Sequence, residues 1–278
     1  MTQLTDSVRT HYQAAIVDKV DLLAKIDRML DEMGDGPLTA DRLAGLDQFH
    51  FGGLAATAAF AGLVGIVEGS RVLDAGSGLG GPSRYLAETF NCEVSGVDLA
   101  PHYVAIAELL ARRAGLEDKV QYSVGDLAHL AFESASFDLV WTQHVVMNIR
   151  DRAGLYGEFR RVLGPNGKFA FYDVIAADGA EPAIYPVPWA ETSDTSTLLT
   201  EGQTRAALEN AGLKVVQWKD VTAVAFEWMA EQRQAASLAV GPGLVVGQRM
   251  AEMVANFGRN LKEGRTRLVI GVCETAST

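Results

Sequence analysis

The chain has 278 residues, 48% of them hydrophobic and 21% charged, a composition of globular chains with room for a sizeable core rather than of disordered ones. Its 24 Lys and Arg against 35 Asp and Glu give a formal charge of −11, spread along the sequence, which repels a phosphate backbone and argues against nucleic acid as the main partner. No run reaches the roughly 18 apolar residues of a bilayer span, and the opening MTQLTDSVRT has no apolar signal core, so the expectation is a cytoplasmic protein with no membrane partner.

Residues 5 to 33 alternate apolar and charged positions with a helical period and predict a helix ending near MGDGPL. LAATAAFAGLVGIV, residues 54 to 67, predicts a second, apolar helix before the EGS turn. From Arg71 the texture changes to short apolar strands separated by helices, the pattern of a parallel sheet covered on both faces. RVLDAG, CEVSGVDL, KVQYSVGD, FDLVWTQHV and GKFAFYDVIA are the first five strands, with GPNG at Gly164 to Gly167 read as a turn before the fifth. TEGQTRAALENAG follows as a helix capped by Thr200, and LKVVQWKDVT and TRLVIGVCET complete the strands. The predicted fold class is α/β: a three-layer sandwich with a seven-stranded, mostly parallel sheet, N-terminal helices and a helical lid insertion. Residues 1–68 read as an N-terminal helical cover and 69–278 as the α/β body. Within the body, two segments read as lids: the proline-rich stretch 177–198, and 222–262, mostly helical and broken by GPG at Gly241 to Gly243. Cys92 and Cys273 stand in strand-like surroundings without a CxxC and read as small buried residues, neither disulfide nor metal ligands.

The sharpest local signal is VLDAGSGLGG. Gly76, Gly78 and Gly80 follow a strand and open a helix, so the backbone turns tightly and approaches a ligand unobstructed, and Pro82 suits the first helical turn. Gly76, Gly78 and Gly81 also satisfy the GxGxxG spacing of dinucleotide binders. Two acids separate the readings. Asp74 stands where a pyrophosphate would sit and favours a ligand with a cationic group, while Asp98, ending the second strand, is placed to accept from both hydroxyls of a ribose. Asp126 ends the third strand on the same sheet edge, and the set fits an adenosine with a cationic amino-acid tail. His102 and His129, nearby, read as exposed helix or loop residues.

DxGxGxG after the first strand, GVDLA on the second, GD on the third, FDLVW on the fourth and EFRRVLGPNGKF before the fifth resemble the class I S-adenosylmethionine-dependent methyltransferases. The resemblance covers roughly residues 48 to 175 and implies a Rossmann-like methyltransferase fold with S-adenosylmethionine as cofactor. It implies further that Asp74 with Gly76, Ser77, Gly78 and Gly80 holds the methionine moiety and that Asp98 holds the ribose. Asp126 would hold the adenine amino group, Leu99 and Leu127 would pack on the adenine faces, and Gln143 counts among the cofactor contacts.

Ligands in open α/β sheets meet beyond the carboxyl ends of the strands, so WTQHVVMNI makes Gln143, His144, Val145, Met147 and Asn148 the first candidates to face the methyl acceptor. His144 is the candidate catalytic residue, either taking a proton or only orienting the acceptor. LDQFHFGGLAAT, with His50, resembles the stretch before the cofactor domain in glycine, sarcosine and dimethylglycine N-methyltransferases and related natural-product enzymes, and Tyr12 is similar to the tyrosine of their N-terminal helix. That resemblance makes an amine nitrogen the first expectation for the small-molecule acceptor, with O- or C-methylation of a phenolic, quinol or other natural product as the alternative. Tyr185, Trp189, Phe226, Trp228 and Met229 supply aromatic and apolar surface to close the pocket, or serve as core between lid and body.

Rival readings are an NAD(P)-dependent oxidoreductase, a nucleic-acid methyltransferase and a catalytically inactive cofactor-binding protein. Asp74 and the missing YxxxK pair argue against the first, since Tyr156 is followed by GEF and Arg160. Net charge and WTQH in place of a proline–aromatic tetrad argue against the second. The transfer needs no metal, and a homodimer is compatible with the chain although no interface motif commits it to one.

Overall fold

The computed structural model describes residues 19–236 and 249–275. Among the described residues three helices precede the sheet. The first, α1 (Lys19–Glu32), buries Leu22, Ile26 and Leu30 at four-residue spacing, each worth about 2 kcal/mol on burial. The second, α2 (Ala40–Asp47), starts at the Thr39 cap, and α3 (Gly53–Val64) stops where Gly65 turns left-handed. Alternating strands and helices follow: β1 (Arg71–Ala75), α4 (Gly81–Phe90), β2 (Glu93–Asp98), α5 (Pro101–Arg113), β3 (Val120–Val124) and β4 (Phe137–Gln143). After a single 3-10 turn, Val146–Asn148, come α6 (Arg152–Val162), β5 (Leu163–Ala176), α7 (Glu201–Asn210) and β6 (Leu213–Asp220). The closing elements are α8 (Thr222–Ala236), α9 (Met250–Lys262) and β7 (Thr266–Thr275).

The seven strands lie in the order β3-β2-β1-β4-β5-β7-β6, all parallel except β7, which runs antiparallel to both neighbours. The chain moves outward from β1 through β3 and then crosses to β4, so the topological switch, where ligand crevices form, lies beyond the carboxyl ends of β1 and β4. Both faces are buried, which is why the strands read as nearly continuous apolar runs. Trp141 and Tyr172 face one core with Phe60 and Phe257, while Phe169 and Phe171 face the other with Leu155 and Phe159. A third cluster packs α1 and α2 onto α5 through Ile26, Leu30, Leu43 and Ile106.

Three sequence expectations need correction. GPNG is not a turn ahead of the fifth strand: β5 begins at Leu163 and runs through it. Phe137 pairs with Leu163 but Leu139 with Lys168, and the excess backbone on β5 is taken up as an irregularity with Asn166 at φ 63°. The helix α2 was not anticipated, and His102 is buried rather than exposed, its ring 4.4 Å from that of Tyr103. The expected capping of α7 by Thr200 is present as a full box with Gln203, and Cys92 and Cys273 are buried free thiols. The stretch 177–198 carries little regular structure, only the Val187–Ala190 bridge and a 3-10 turn at Ser193–Thr195. Gly241 to Gly243 and the first part of the expected N-terminal helix lie outside the described residues.

Candidate cofactor and acceptor site

The glycine loop leaves β1 with Gly76 at φ 83° and Gly80 at φ 74°, conformations that L side chains rarely adopt. A Cβ at Gly76 would lie 2.4 Å from Val145 and one at Gly80 2.0 Å from the Tyr122 hydroxyl, whereas nothing stands within 4 Å of the same position at Gly78. The loop is pinned to β2, since the amides of Gly76 and Ser77 donate to the Val97 carbonyl at 2.8 and 3.1 Å. The Ser77 side chain is buried toward Gly96, so its part in any ligand contact is through the backbone. Asp98 accepts from the amides of Gly78 and Ala100, both at 2.9 Å, and no cation pairs with it among the described residues. Burial holds its carboxyl above the usual range. A half-buried carboxylate with free lone pairs beside an open glycine fits a ribose diol, and these residues therefore fit an adenosine-bearing cofactor.

Asp74 lies behind this loop rather than in its mouth. It accepts from the Ser83 hydroxyl at 2.5 Å at the start of α4, and burial pushes its carboxyl up to about 7. Asp126 lies one loop further along the same edge, accepting from the Ala128 amide at 3.0 Å. Leu99 is half-buried and Leu127 buried on that edge.

The acceptor side gathers residues from segments distant in sequence. His144 is held at φ 54°, with its amide donating to the Tyr172 carbonyl at 2.8 Å and the next amide, of Val145, donating to Asp173 at 3.0 Å. Its ring centroid lies 4.8 Å from Tyr172, 6.1 Å from His50 and 6.3 Å from Phe257. Burial first, and His50 second, hold His144 well below the ordinary histidine range, and burial lowers His50 to about 4, so both rings are neutral at pH 7. Their partners assign the tautomers. His50 Nε2 faces the Gly53 carbonyl at 2.9 Å and therefore carries its proton. His144 Nδ1 accepts a long contact, 3.5 Å, from the Phe51 amide, which leaves a proton on the buried Nε2.

Gln143 sits behind these rings, its Oε1 accepting from Trp141 Nε1 at 3.0 Å, while Thr57 links it to Gln48 and His50. Met147 is in the core, and the Asn148 amide donates to the carbonyls of Trp189 and Thr195 at 2.8 and 3.0 Å, fastening the 177–198 stretch to the end of β4. Trp189 is buried edge-on to Phe257 at 5.1 Å, and Tyr185 is half-buried in the same stretch. Phe226 meets Phe51 edge-on at 6.2 Å, and Trp228 meets Tyr172 at 6.2 Å. Tyr12 lies outside the described residues. Phe51, Tyr172 and Phe257 were not singled out from sequence; Tyr172 sits in the fifth expected strand, Phe257 in the 222–262 stretch read as a lid, and Phe51 stands beside His50 in the quoted HFGG. Among the described residues no group of His, Cys, Asp or Glu is arranged to hold a metal ion.

A Rossmann-like sheet with an open glycine loop and an acid at its switch point whose lone pairs suit a diol fits a nucleoside-cofactor protein. Residues 73–171 match the methyltransferase domain family. The chain is 32% identical over 162 residues to the glycine/sarcosine/dimethylglycine N-methyltransferase of Actinopolyspora halophila, covering 58% of this chain and 28% of that protein. It is 34% identical over 121 residues to a sterol 24-C-methyltransferase of Schizosaccharomyces pombe, covering 44% of this chain and 32% of that one, so it spans under a third of either relative's length. Among solved structures, geranyl diphosphate C-methyltransferase from Streptomyces coelicolor A3(2) superposes with a TM-score of 0.71 at 16% identity, covering 99% of this chain and 98% of that one. Residues 73–171 carry a methyltransferase domain, and the chain is similar to class I S-adenosylmethionine-dependent methyltransferases of the glycine/sarcosine/dimethylglycine N-methyltransferase kind. Its relatives divide between methylation at nitrogen and at carbon and do not single out the amine.

Proposed function

We propose that the chain transfers the methyl group of S-adenosylmethionine to an apolar small-molecule acceptor, at carbon or oxygen rather than at an amine nitrogen. The observation that carries this choice is the polarity of the acceptor side: aromatic faces of Phe51, Tyr172, Phe226 and Phe257 around two neutral histidines. The buried carboxylates have partners of their own, Asp47 with Arg84, Asp74 with Ser83 and one oxygen of Asp173 with the Val145 amide. An ammonium acceptor entering this space would lose hydration worth several kcal/mol without a carboxylate to replace it. Aromatic faces return only about 2 kcal/mol. The Nδ1 lone pair of His144 is turned to the Phe51 amide and Nε2 of His50 holds a proton, so neither of these two nitrogens is free to take one.

In this reading the cofactor supplies an electrophilic methyl on a sulfonium sulfur. The loop from Gly76 to Gly80 cradles its methionine end, braced from behind by Asp74. Asp98 accepts from the ribose hydroxyls, Asp126 with Leu99 and Leu127 frames the adenine, and Gln143 closes the inner wall. His144 orients the acceptor by donating from Nε2 to an oxygen, such as a phenol, enol or carbonyl oxygen. Residues 19–68, 177–198, 222–236 and 249–262 form a cover over the body, with His50, Tyr185, Trp189 and Phe226 excluding water and Met147 and Asn148 holding the lid stretch in place.

The test is turnover with S-adenosylmethionine and a mixed panel of phenols, quinols, alkenes and amines, scored by mass spectrometry for S-adenosylhomocysteine and for products one methylene heavier. Products are expected among the oxygen and carbon acceptors. Methylation of amines alone would overturn the acceptor reading while leaving the cofactor site. Absence of turnover together with absence of S-adenosylmethionine binding by calorimetry would overturn the whole.

A further inference from the structure

Arg84 is fully buried, and so is its partner Asp47. Burying a guanidinium costs much hydration, and a packed apolar pair in its place is often no less stable, so stability alone does not account for it. Its hydrogen bonds are informative. One terminal nitrogen donates to Asp47 at 2.7 Å and to the Leu79 carbonyl at 2.8 Å, and the other donates to the Tyr122 hydroxyl at 3.3 Å, which in turn donates to the Gly80 carbonyl at 3.3 Å. A single side chain thus grips the glycine loop and the last residue of α2.

The two elements also touch directly. A Cβ at Gly81 would lie 2.7 Å from the Asp47 carbonyl, so only glycine lets the end of α2 rest on the start of α4. At the other end of α2, the Ala40 amide donates to Glu88 of α4 at 2.8 Å. Immediately beyond Asp47 the chain enters the acceptor side: Gln48 accepts from Thr57, and Phe51 accepts from the Tyr172 hydroxyl at 2.9 Å and donates to His144. Contiguous contacts therefore run from the carbonyls of Leu79 and Gly80, through Arg84 and Asp47, to the segment Gln48 to Phe51.

We propose that Arg84 is a positioning residue that joins the cofactor loop to the acceptor-side segment, so that filling the glycine loop orders residues 48–51 and a seated acceptor in turn tightens the cofactor. Such coupling is reciprocal in free energy. The inference rests on the cofactor site of the proposed function and is independent of the acceptor's chemistry.

The test is hydrogen–deuterium exchange of the full chain with and without S-adenosylhomocysteine, on the wild type, on Arg84→Met, and on Arg84→Met with Asp47→Asn. The double variant leaves no unpaired carboxylate buried and carries the test where the single variant fails to fold. In the wild type the ligand slows exchange both at residues 76–80 and at residues 48–51, the latter by about tenfold. In the double variant the loop still responds, while the response at 48–51 falls below about twofold. A merely structural ion pair would change exchange with and without ligand alike and leave the difference intact. Full transmission in the double variant, or a wild-type loop that responds while residues 48–51 do not, overturns the coupling. No protection anywhere in the wild type overturns it together with the cofactor assignment.

Discussion

Replacing Asp98 by Asn separates the backbone contacts the structure gives that carboxylate from the ribose contact proposed for it. Asp98 already accepts from Gly78 and Ala100, and the proposed ribose contacts add two donors, so all four approach one carboxylate from different sides. Asn keeps one acceptor oxygen and turns an NH2 toward donors. One charge-assisted hydrogen bond to the ribose is lost, worth about 1.5–3 kcal/mol, and S-adenosylhomocysteine should bind about ten- to a hundredfold more weakly by calorimetry. A 2′-deoxy analogue supplies the control: it should lose affinity for the wild type but much less for the variant, because the partner of the missing hydroxyl is already gone. Because burial raises the Asp98 carboxyl and its charged form is the acceptor, wild-type affinity should also decline in mildly acidic buffer before that of the variant does. Equal affinity of wild type and Asp98→Asn for the parent ligand, or an identical deoxy penalty in both, would refute the placement of the ribose at β2.

His144→Gln should keep turnover within several-fold, because it retains a donor, while His144→Ala should lose about tenfold or more in kcat with cofactor affinity unchanged. Since His144 titrates well below 6.5, the kcat profile should carry no histidine limb between pH 6 and 8; a limb near 6.5 that vanishes in His144→Gln would restore it as a base. Asp173→Asn tests burial at the far side of the same loop: burial raises the Asp173 carboxyl to about 7, so it favours the folded state below its unfolded value and loses that contribution as pH rises through 7. Relative to the wild type the Asn variant should gain stability, on the order of 3 kcal/mol at most, between pH 4 and 8 in denaturant titrations, and a pH-independent difference would count against it. Asn148→Ala strips both lid carbonyls of their donor and should cost about 1–3 kcal/mol with a raised acceptor KM, whereas an unchanged KM would separate the lid from the acceptor.

The order of strands and helices was legible because a parallel sheet buried on both faces leaves apolar runs that turn residues punctuate, and β7 was placed at its observed bounds, Thr266–Thr275. GPNG misled because the residues that make a turn also suit a bulge, and only pairing with β4 decides between them. The eight-residue α2 is too short to display a period, and its meaning lies in Asp47, whose partner Arg84 is 37 residues away. The cofactor loop was legible for the opposite reason: its constraint is local backbone conformation, recorded by glycines within five residues. Even there the direction of a side chain was not, since Asp74 faces Ser83 at the start of α4 and not the mouth of the loop.

The acceptor side shows why resemblance transfers the two halves of the site unequally. HFGG and QHVVMNI set the backbone at the sheet edge, where His144 is held at φ 54° and the Phe51 amide meets it. The proposed acceptor wall of this chain is assembled from Phe51, Tyr172, Phe226 and Phe257, on four separate segments. A carboxylate turned into that wall would suit an ammonium, whereas Asp173, buried beside Tyr172, faces the Val145 amide; aromatic rings around two neutral histidines suit an apolar molecule with one oxygen to be oriented. Placing a carboxylate in that wall, by Phe226→Glu, should therefore lower turnover of apolar acceptors and raise binding of amines, and a variant that loses both alike would mean that Phe226 serves packing and not selection.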